Sequence, residues 1–203
     1  MDSEIKIYDD LLHIDDSNFL LNSLSSERFP WGYGQKVLPP EDTSCDELDN
    51  FQFCNILYDK MMPISRDEFN LVTPIINKPK LRIIALLRIK ANLLPRRDRI
   101  IKHGLHVDMD FPCTTAIYYA NTCNGYTEFE DGTIVESVKN RFVTFPSTMK
   151  HTGTTCTDAK VRIVINFNYL DLDEKYQDIF KGMGSKTSME SPFPIISPGG
   201  IIT

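Results

Sequence analysis

The sequence predicts a mainly β domain with flanking helices, an α+β class whose core is an antiparallel barrel or sandwich. Three observations carry this. From Thr114 onward, short β-rich segments alternate with turn signals at 121–125, 131–132, 140–141 and 153, the spacing of an all-β barrel or sandwich. Residues 81–94 form the longest apolar run with strand character. The clearest helical signals lie before that run, at about 16–26 and 66–77, where capping residues precede apolar positions.

In chain order, Ile5, Ile7 and Tyr8 suggest a short edge strand, and Asp15, Asp16 and Ser17 offer caps to a helix over about 16–26 whose leucines face a core. Residues 29–50 hold Pro30, Trp31, Gly32, Gly34, Pro39 and Pro40, the composition of a long loop. Trp31 is read as a large aromatic closing the core in preference to a recognition platform. Residues 51–58 alternate weakly as a strand, and Ser65 with Asp67 and Glu68 opens a helix over about 66–77. If 81–94 is extended, Ile83, Ala85, Leu87, Ile89 and Ala91 share one face while Arg82, Arg88, Lys90 and Asn92 share the other. Such a mixed face suits a barrel strand whose polar end approaches a site, although Arg88 and Lys90 would suit a solvated edge equally well. The basic turn 95–99 reads as a solvated loop, Asp131-Gly132 as a hairpin turn, 142–146 and 161–170 as strands, and 173–181 as a short helix. The Pro- and Gly-rich tail 191–203 carries too many breakers for regular structure.

With 203 residues the chain is most economically one domain: support over 1–80, a β core over about 81–170, and an extension over 171–203. The net charge of -6 disfavours nucleic acid as a partner. The five cysteines are odd in number and lack zinc-type spacing, which fits reduced thiols in a cytoplasmic protein. The acidic start lacks the basic and apolar regions of a signal peptide, and no apolar run approaches membrane-spanning length.

The chemistry concentrates in 104–110. His106 and Asp108, two apart, share one face if that segment is a strand, and His151 is the only histidine downstream. Two imidazoles and a carboxylate form the facial set that holds Fe(II) with three positions left open. Asp110 has the same parity as Asp108 and is the alternative carboxylate, whereas His103 falls on the opposite face. Arg162 lies eleven residues beyond His151 within an apolar strand, where a fixed cation needs an anionic partner such as a bound dicarboxylate.

These residues resemble a family. His106-x-Asp108, His151 and Arg162, together with Thr115-Ala116-Ile117-Tyr118-Tyr119-Ala120-Asn121 and Gly125-Tyr126-Thr127-Glu128-Phe129, are similar to the motifs of Fe(II)/2-oxoglutarate-dependent oxygenases of the prolyl-4-hydroxylase-like branch, over about residues 80–170. Two departures stand out: Asn124 replaces the first glycine of the family's G-G-x-T-x-F segment, and arginines occupy the turn where some relatives place a tyrosine. The resemblance implies a double-stranded β-helix of jelly-roll or cupin type. It implies Fe(II) held by His106, Asp108 and His151, 2-oxoglutarate as co-substrate held by Arg162 and Tyr119 with Asn92 nearby, and O2 as oxidant. The implied reaction hydroxylates a C–H bond with release of succinate and CO2. The substrate would be a prolyl residue of a peptide or a small amino-acid-like metabolite. A non-catalytic cupin-like binding module is the alternative; it would not require Arg162 and Tyr119 to converge on one pocket.

Overall fold

In a computed structural model, which describes residues 5–39 and 43–171, the chain up to Asp171 forms one compact unit. The helix expected at 173–181 and the tail lie outside the described residues. Strands β1 (Lys6–Tyr8), β2 (Gly32–Gly34), β3 (Gln52–Asp59), β4 (Met62–Pro63), β5 (Ile83–Pro95), β6 (Thr114–Tyr119), β9 (Arg141–Pro146) and β11 (Val161–Asp171) build a large sheet in the order β1-β9-β6-β11-β5-β3-β2, with β4 on β3. A smaller sheet runs β10 (His151–Gly153), β7 (Tyr126–Phe129), β8 (Ile134–Glu136). All pairings are antiparallel.

The helical elements differ from the sequence expectation in instructive ways. Helix α1 (Ile14–Leu24) starts earlier than its acidic residues suggest, because His13 serves as N-cap and its Nδ1 accepts from the Asp15 amide. The single helix expected at 66–77 is two short ones, α2 (Arg66–Asn70) and α3 (Thr73–Ile76). Pro74 lacks an N–H and cannot continue a helix from upstream, but it suits the first turn of a new one. Trp31 closes the core edge as expected: its indole N–H donates to the Leu24 carbonyl at 2.9 Å and its ring lies 4.6 Å from Phe29. The basic turn after β5 is pinned, with Arg99 2.9 Å from the Asp49 carboxylate and the Arg97 guanidinium over the Phe51 ring. Asp131-Gly132 does make the β7–β8 turn, Gly132 supplying a φ of 84°.

Alternation along the central strands then decides where everything goes. On β11, Ile163, Ile165 and Phe167 are buried with Ile89 and Ala91 of β5 and with Leu20 and Leu24 of α1, in a core between the large sheet and the helices. Each such side chain contributes roughly 1.5–3 kcal/mol by leaving water. The intervening residues point the other way, where Ile117, Tyr119, Val143, Phe145 and Val164 pack against Phe129 and Val135 of the small sheet. The adjacent tyrosines of β6 show the split. The Tyr118 hydroxyl donates to Asn140 Oδ1 and lies within hydrogen-bond distance of the Ser17 hydroxyl on the helix side, and Tyr119 enters the space between the sheets.

Candidate metal and co-substrate site

The segment carrying His106 and Asp108 is not a regular strand. Gly104 sits at φ 122°, a conformation that L side chains rarely adopt; around it the chain meets the small sheet without forming a regular strand, through isolated bridges of Lys102 to Thr154 and His106 to His151 and a Gly104 N–H bond to Thr152 Oγ1. The second bridge is the decisive one. His106 N–H donates to the His151 carbonyl and His151 N–H to the His106 carbonyl, both at 3.0 Å, so the two histidines are fixed opposite each other by backbone. Their rings lie 4.8 Å apart.

Each imidazole is oriented in the same manner. Nδ1 of His106 lies 3.3 Å from the Gly104 carbonyl and Nδ1 of His151 3.3 Å from the Met149 carbonyl. A carbonyl only accepts, so the hydrogen resides on Nδ1 and the Nε2 lone pair is free to ligate. Asp108 completes the set, its carboxylate 3.6 Å from His106 Nε2 and 4.0 Å from His151 Nε2. The three donor atoms lie within 4.8 Å of one another. Asp110 is exposed and stands outside this group. Two neutral imidazoles and one carboxylate around a common point are the donor chemistry that suits non-haem Fe(II).

Burial, the largest single influence, works to raise the Asp108 carboxyl, but the neighbouring imidazoles of His106 and His151, with Asn166, outweigh it and hold the group at about 2. Asn166 of β11 also donates to this carboxylate at 3.4 Å, and Asn92 of β5 donates in turn to Asn166 at 3.3 Å. The Asn92 side-chain oxygen Oδ1 is buried in the cavity wall without a partner among the described residues. Asn92 is thus placed beside the ligand carboxylate with one acceptor left over.

His103 departs from the parity argument. The turn at Gly104 breaks the alternation, so His103 and His106 line the same cavity, although His103 is not among the clustered donors. Burial lowers the pKa of His151 and of His103, each against smaller opposing influences. Both are therefore neutral in the folded protein where an unfolded histidine would begin to protonate, at about pH 6.5. The unfolded chain binds more protons in that range, so the stability of the metal-free protein falls as pH drops from about 6.5 through the lowered folded values. Asp108 contributes stability that is lost only as pH falls toward about 2, below this window. Urea midpoints of metal-free protein at about pH 7.5 and about pH 5.5 check the sign: the lower pH gives the lower midpoint, and equal midpoints would contradict the assignment.

Arg162 lines a cavity of about 260 Å³ that also contains His106, Asp108, His151 and Asn92 in its lining. The side chain is 1% exposed. Its Nε–H donates to Ser137 Oγ at 2.7 Å and Nη2 to Thr127 Oγ1 at 3.2 Å. The Tyr119 hydroxyl also donates to Thr127 Oγ1, at 2.8 Å, and the Arg162 guanidinium lies 5.6 Å from the Tyr119 ring centre. Tyr119 therefore backs Arg162 through Thr127 and its ring face, and its hydroxyl does not open into the cavity. Burial raises the Tyr119 pKa and keeps it a donor. Thr127, accepting from both neighbours, retains its own hydrogen and lines the cavity. Neither Thr127 nor Ser137 follows from the sequence as a site residue, although Thr127 is the threonine of the G-x-T-x-F segment. Burial disfavours the Arg162 charge, and the groups that act on it electrostatically are Tyr119 and two cysteines, none of them a carboxylate.

The glycine of that segment has a steric reason. A Cβ at Gly125 would meet Arg162 Cδ and the Thr155 carbonyl oxygen, each at 2.6 Å. The carbonyl is backbone and cannot swing aside. Gly125→Ala is expected to cost about 1–3 kcal/mol in urea unfolding and to displace Arg162; a variant with wild-type stability would show that the sheets separate more easily than their packing suggests. Elsewhere all five cysteines are free. Cys123 and Cys156 lie with Asp158 within 4.8 Å, and burial pushes the Cys156 thiol up to about 11, which disfavours the thiolate form needed for metal.

No family model matches the chain, and no curated protein matches it in sequence. Solved structures do. A prolyl hydroxylase from Trichoplax adhaerens, in complex with a hypoxia-inducible-factor oxygen-degradation-domain peptide fragment, aligns with TM-score 0.57 at 14% identity over 88% of this chain and 87% of that one. A Pseudomonas putida prolyl-4-hydroxylase aligns with TM-score 0.52 at 14% identity over 83% of this chain and 93% of its own. A non-haem α-ketoglutarate-dependent epimerase of nogalamycin biosynthesis aligns with TM-score 0.58 at 11% identity over 83% and 76%. The chain therefore has the double-stranded β-helix fold on which the 2-oxoglutarate/Fe(II) oxygenases are built.

Proposed function

We propose that this protein is an Fe(II)- and 2-oxoglutarate-dependent dioxygenase that hydroxylates a C–H bond of a prolyl residue or a small amino-acid-like metabolite, releasing succinate and CO2. One observation carries the reading: a His106–Asp108–His151 donor set and a buried Arg162, which has no carboxylate partner among the described residues, line the same cavity. A buried guanidinium without an anion costs several kcal/mol, and the far carboxylate of 2-oxoglutarate supplies the missing charge. The hydroxylase likeness of two structural neighbours favours hydroxylation, and the peptide bound by one of them favours a peptidyl substrate.

Each residue has a definite task in this scheme. His106 and His151 present Nε2 because their Nδ1 hydrogens are committed to carbonyls. Asp108 stays ionised and is oriented by Asn166. Arg162 and the Thr127 hydroxyl receive the co-substrate carboxylate, with Tyr119 and Ser137 holding them in place. Asn92 lines the path between the two ends. Iron with 2-oxoglutarate would supply the oxidising power when O2 reacts there, and the protein orients the participants and shields the oxidant.

Anaerobic titration of the metal-free protein with Fe(II) and 2-oxoglutarate tests this. A visible charge-transfer band that requires both additions is expected. Bound metal with no band would instead indicate a metal-holding module without the co-substrate site.

A further inference from the structure

The cavity has a second basic end that metal and co-substrate leave unused. Arg88 and Lys90 face it from β5 on the same side as Asn92 and Leu94. β5 lies between β11 and β3; Lys90 pairs with the two of them, at Asn166 and Ile56, and Arg88 pairs with Asn168 of β11. Both are half-buried, and among the described residues neither lies within ion-pair distance of a carboxylate. Burial is the largest influence and lowers the Lys90 pKa; Cys54 opposes it, the Arg88 charge lowers it further, and Asp108 opposes it least. Two like charges in a half-dry wall repel each other unless an anion lies between them.

Strand register shows that this end is separate from Arg162. Arg162 pairs with Leu94, Asn166 with Lys90 and Asn168 with Arg88. Asn166 holds Asp108, so the ligand carboxylate stands near the Lys90 level, with Arg88 beyond it and Arg162 on the other side. At roughly 3.3 Å per residue, Lys90 and Arg88 are about 13 and 20 Å along β5 from the Arg162 level. The four carbon–carbon bonds of 2-oxoglutarate, about 1.5 Å each, span at most ~6 Å. A co-substrate carboxylate seated on Arg162 leaves this pair, further along the strand, for a second anion.

We infer that the primary substrate is a small molecule bearing an anionic group, carboxylate or phosphate, which Arg88 and Lys90 hold at the end of the cavity remote from Arg162. Arg88 offers a planar fork and Lys90 a point charge. The cavity of about 260 Å³ falls below the ~300–1,000 Å³ of common ligand pockets and also has to take the co-substrate, which suits a small metabolite that places its reacting carbon near the metal ligands while its anion rests on this pair. The inference rests on the oxygenase reading for the role of the site.

The test uses the full chain with Fe(II) and 2-oxoglutarate under anaerobic conditions. Calorimetric titrations compare L-proline and L-leucine with their carboxamides, and O-phosphoserine amide with serine amide. Acids are expected to bind at least about tenfold more tightly than amides, and a preference for the phosphate ester or the carboxylate identifies the anion. In Arg88→Gln/Lys90→Gln the acids should lose about tenfold while the amides are unchanged. Equal binding of acids and amides, no binding of any acid, or undiminished acid binding in the double variant overturns the inference. Absence of the charge-transfer band in the wild-type protein overturns the oxygenase reading instead, and the acid–amide comparison on metal-loaded protein still decides the anion question.

Discussion

His151→Ala is expected to abolish Fe(II) binding at micromolar metal and to erase the charge-transfer band with 2-oxoglutarate. Three ligands hold the metal in the proposed site, and loss of even an outer partner of such a ligand commonly costs 10–100-fold in affinity; loss of the ligand itself costs more. Protein stability should also fall. His151 is 2% exposed and packs edge-on to Phe145 with ring centres 4.8 Å apart, so truncation leaves a cavity costing about 2–4 kcal/mol. His106→Ala provides the separating control. Its side chain is 25% exposed, so it should lose metal as completely with a smaller stability penalty. Metal content after dialysis and urea unfolding of both variants measure the two effects. Retention of stoichiometric iron by His151→Ala would remove this histidine from the ligand set.

Much of this arrangement was legible in the sequence because alternation is local. The split of Ile89 and Ala91 from Arg88, Lys90 and Asn92 follows from a period of two, and the structure keeps it; a register shift further up the strand turns Leu86, in place of Ala85 and Leu87, toward the core. His106, Asp108 and His151 were legible as residue types at suggestive spacing, but not the reason they meet. That reason is a reciprocal backbone bridge after a glycine at positive φ, which replaces the expected strand and brings His103 to the cavity. Pro74 announces the break between α2 and α3 in retrospect, yet only the packing decides that a second short helix follows. Arg88 and Lys90 could not be told from edge cations because sheet order is a long-range property: β5 and β11 pair across some seventy residues of chain. Thr127 and Ser137 are ordinary residues until a buried guanidinium comes to rest on them.

Arg162→Ala should leave Fe(II) bound and weaken 2-oxoglutarate by roughly 100-fold or more. A charge-assisted bond to a carboxylate contributes about 1.5–3 kcal/mol, and the planar fork can offer two of them in a site that solvent does not screen. None of the metal ligands touches this side chain; they are held by the His106–His151 bridge and by Asn166, so the metal site should survive. Folding pulls in two directions. Removing a buried cation relieves its desolvation, but Ser137 and Thr127 lose their donor and the space beside Gly125 and Gly153 empties. Arg162→Lys discriminates charge from geometry, since lysine restores the cation without the fork. If co-substrate binding recovers only in part with lysine, the fork is what the site reads. Unchanged 2-oxoglutarate affinity in Arg162→Ala would mean that the co-substrate carboxylate lies elsewhere, and Arg88 with Lys90 would then be the first place to look.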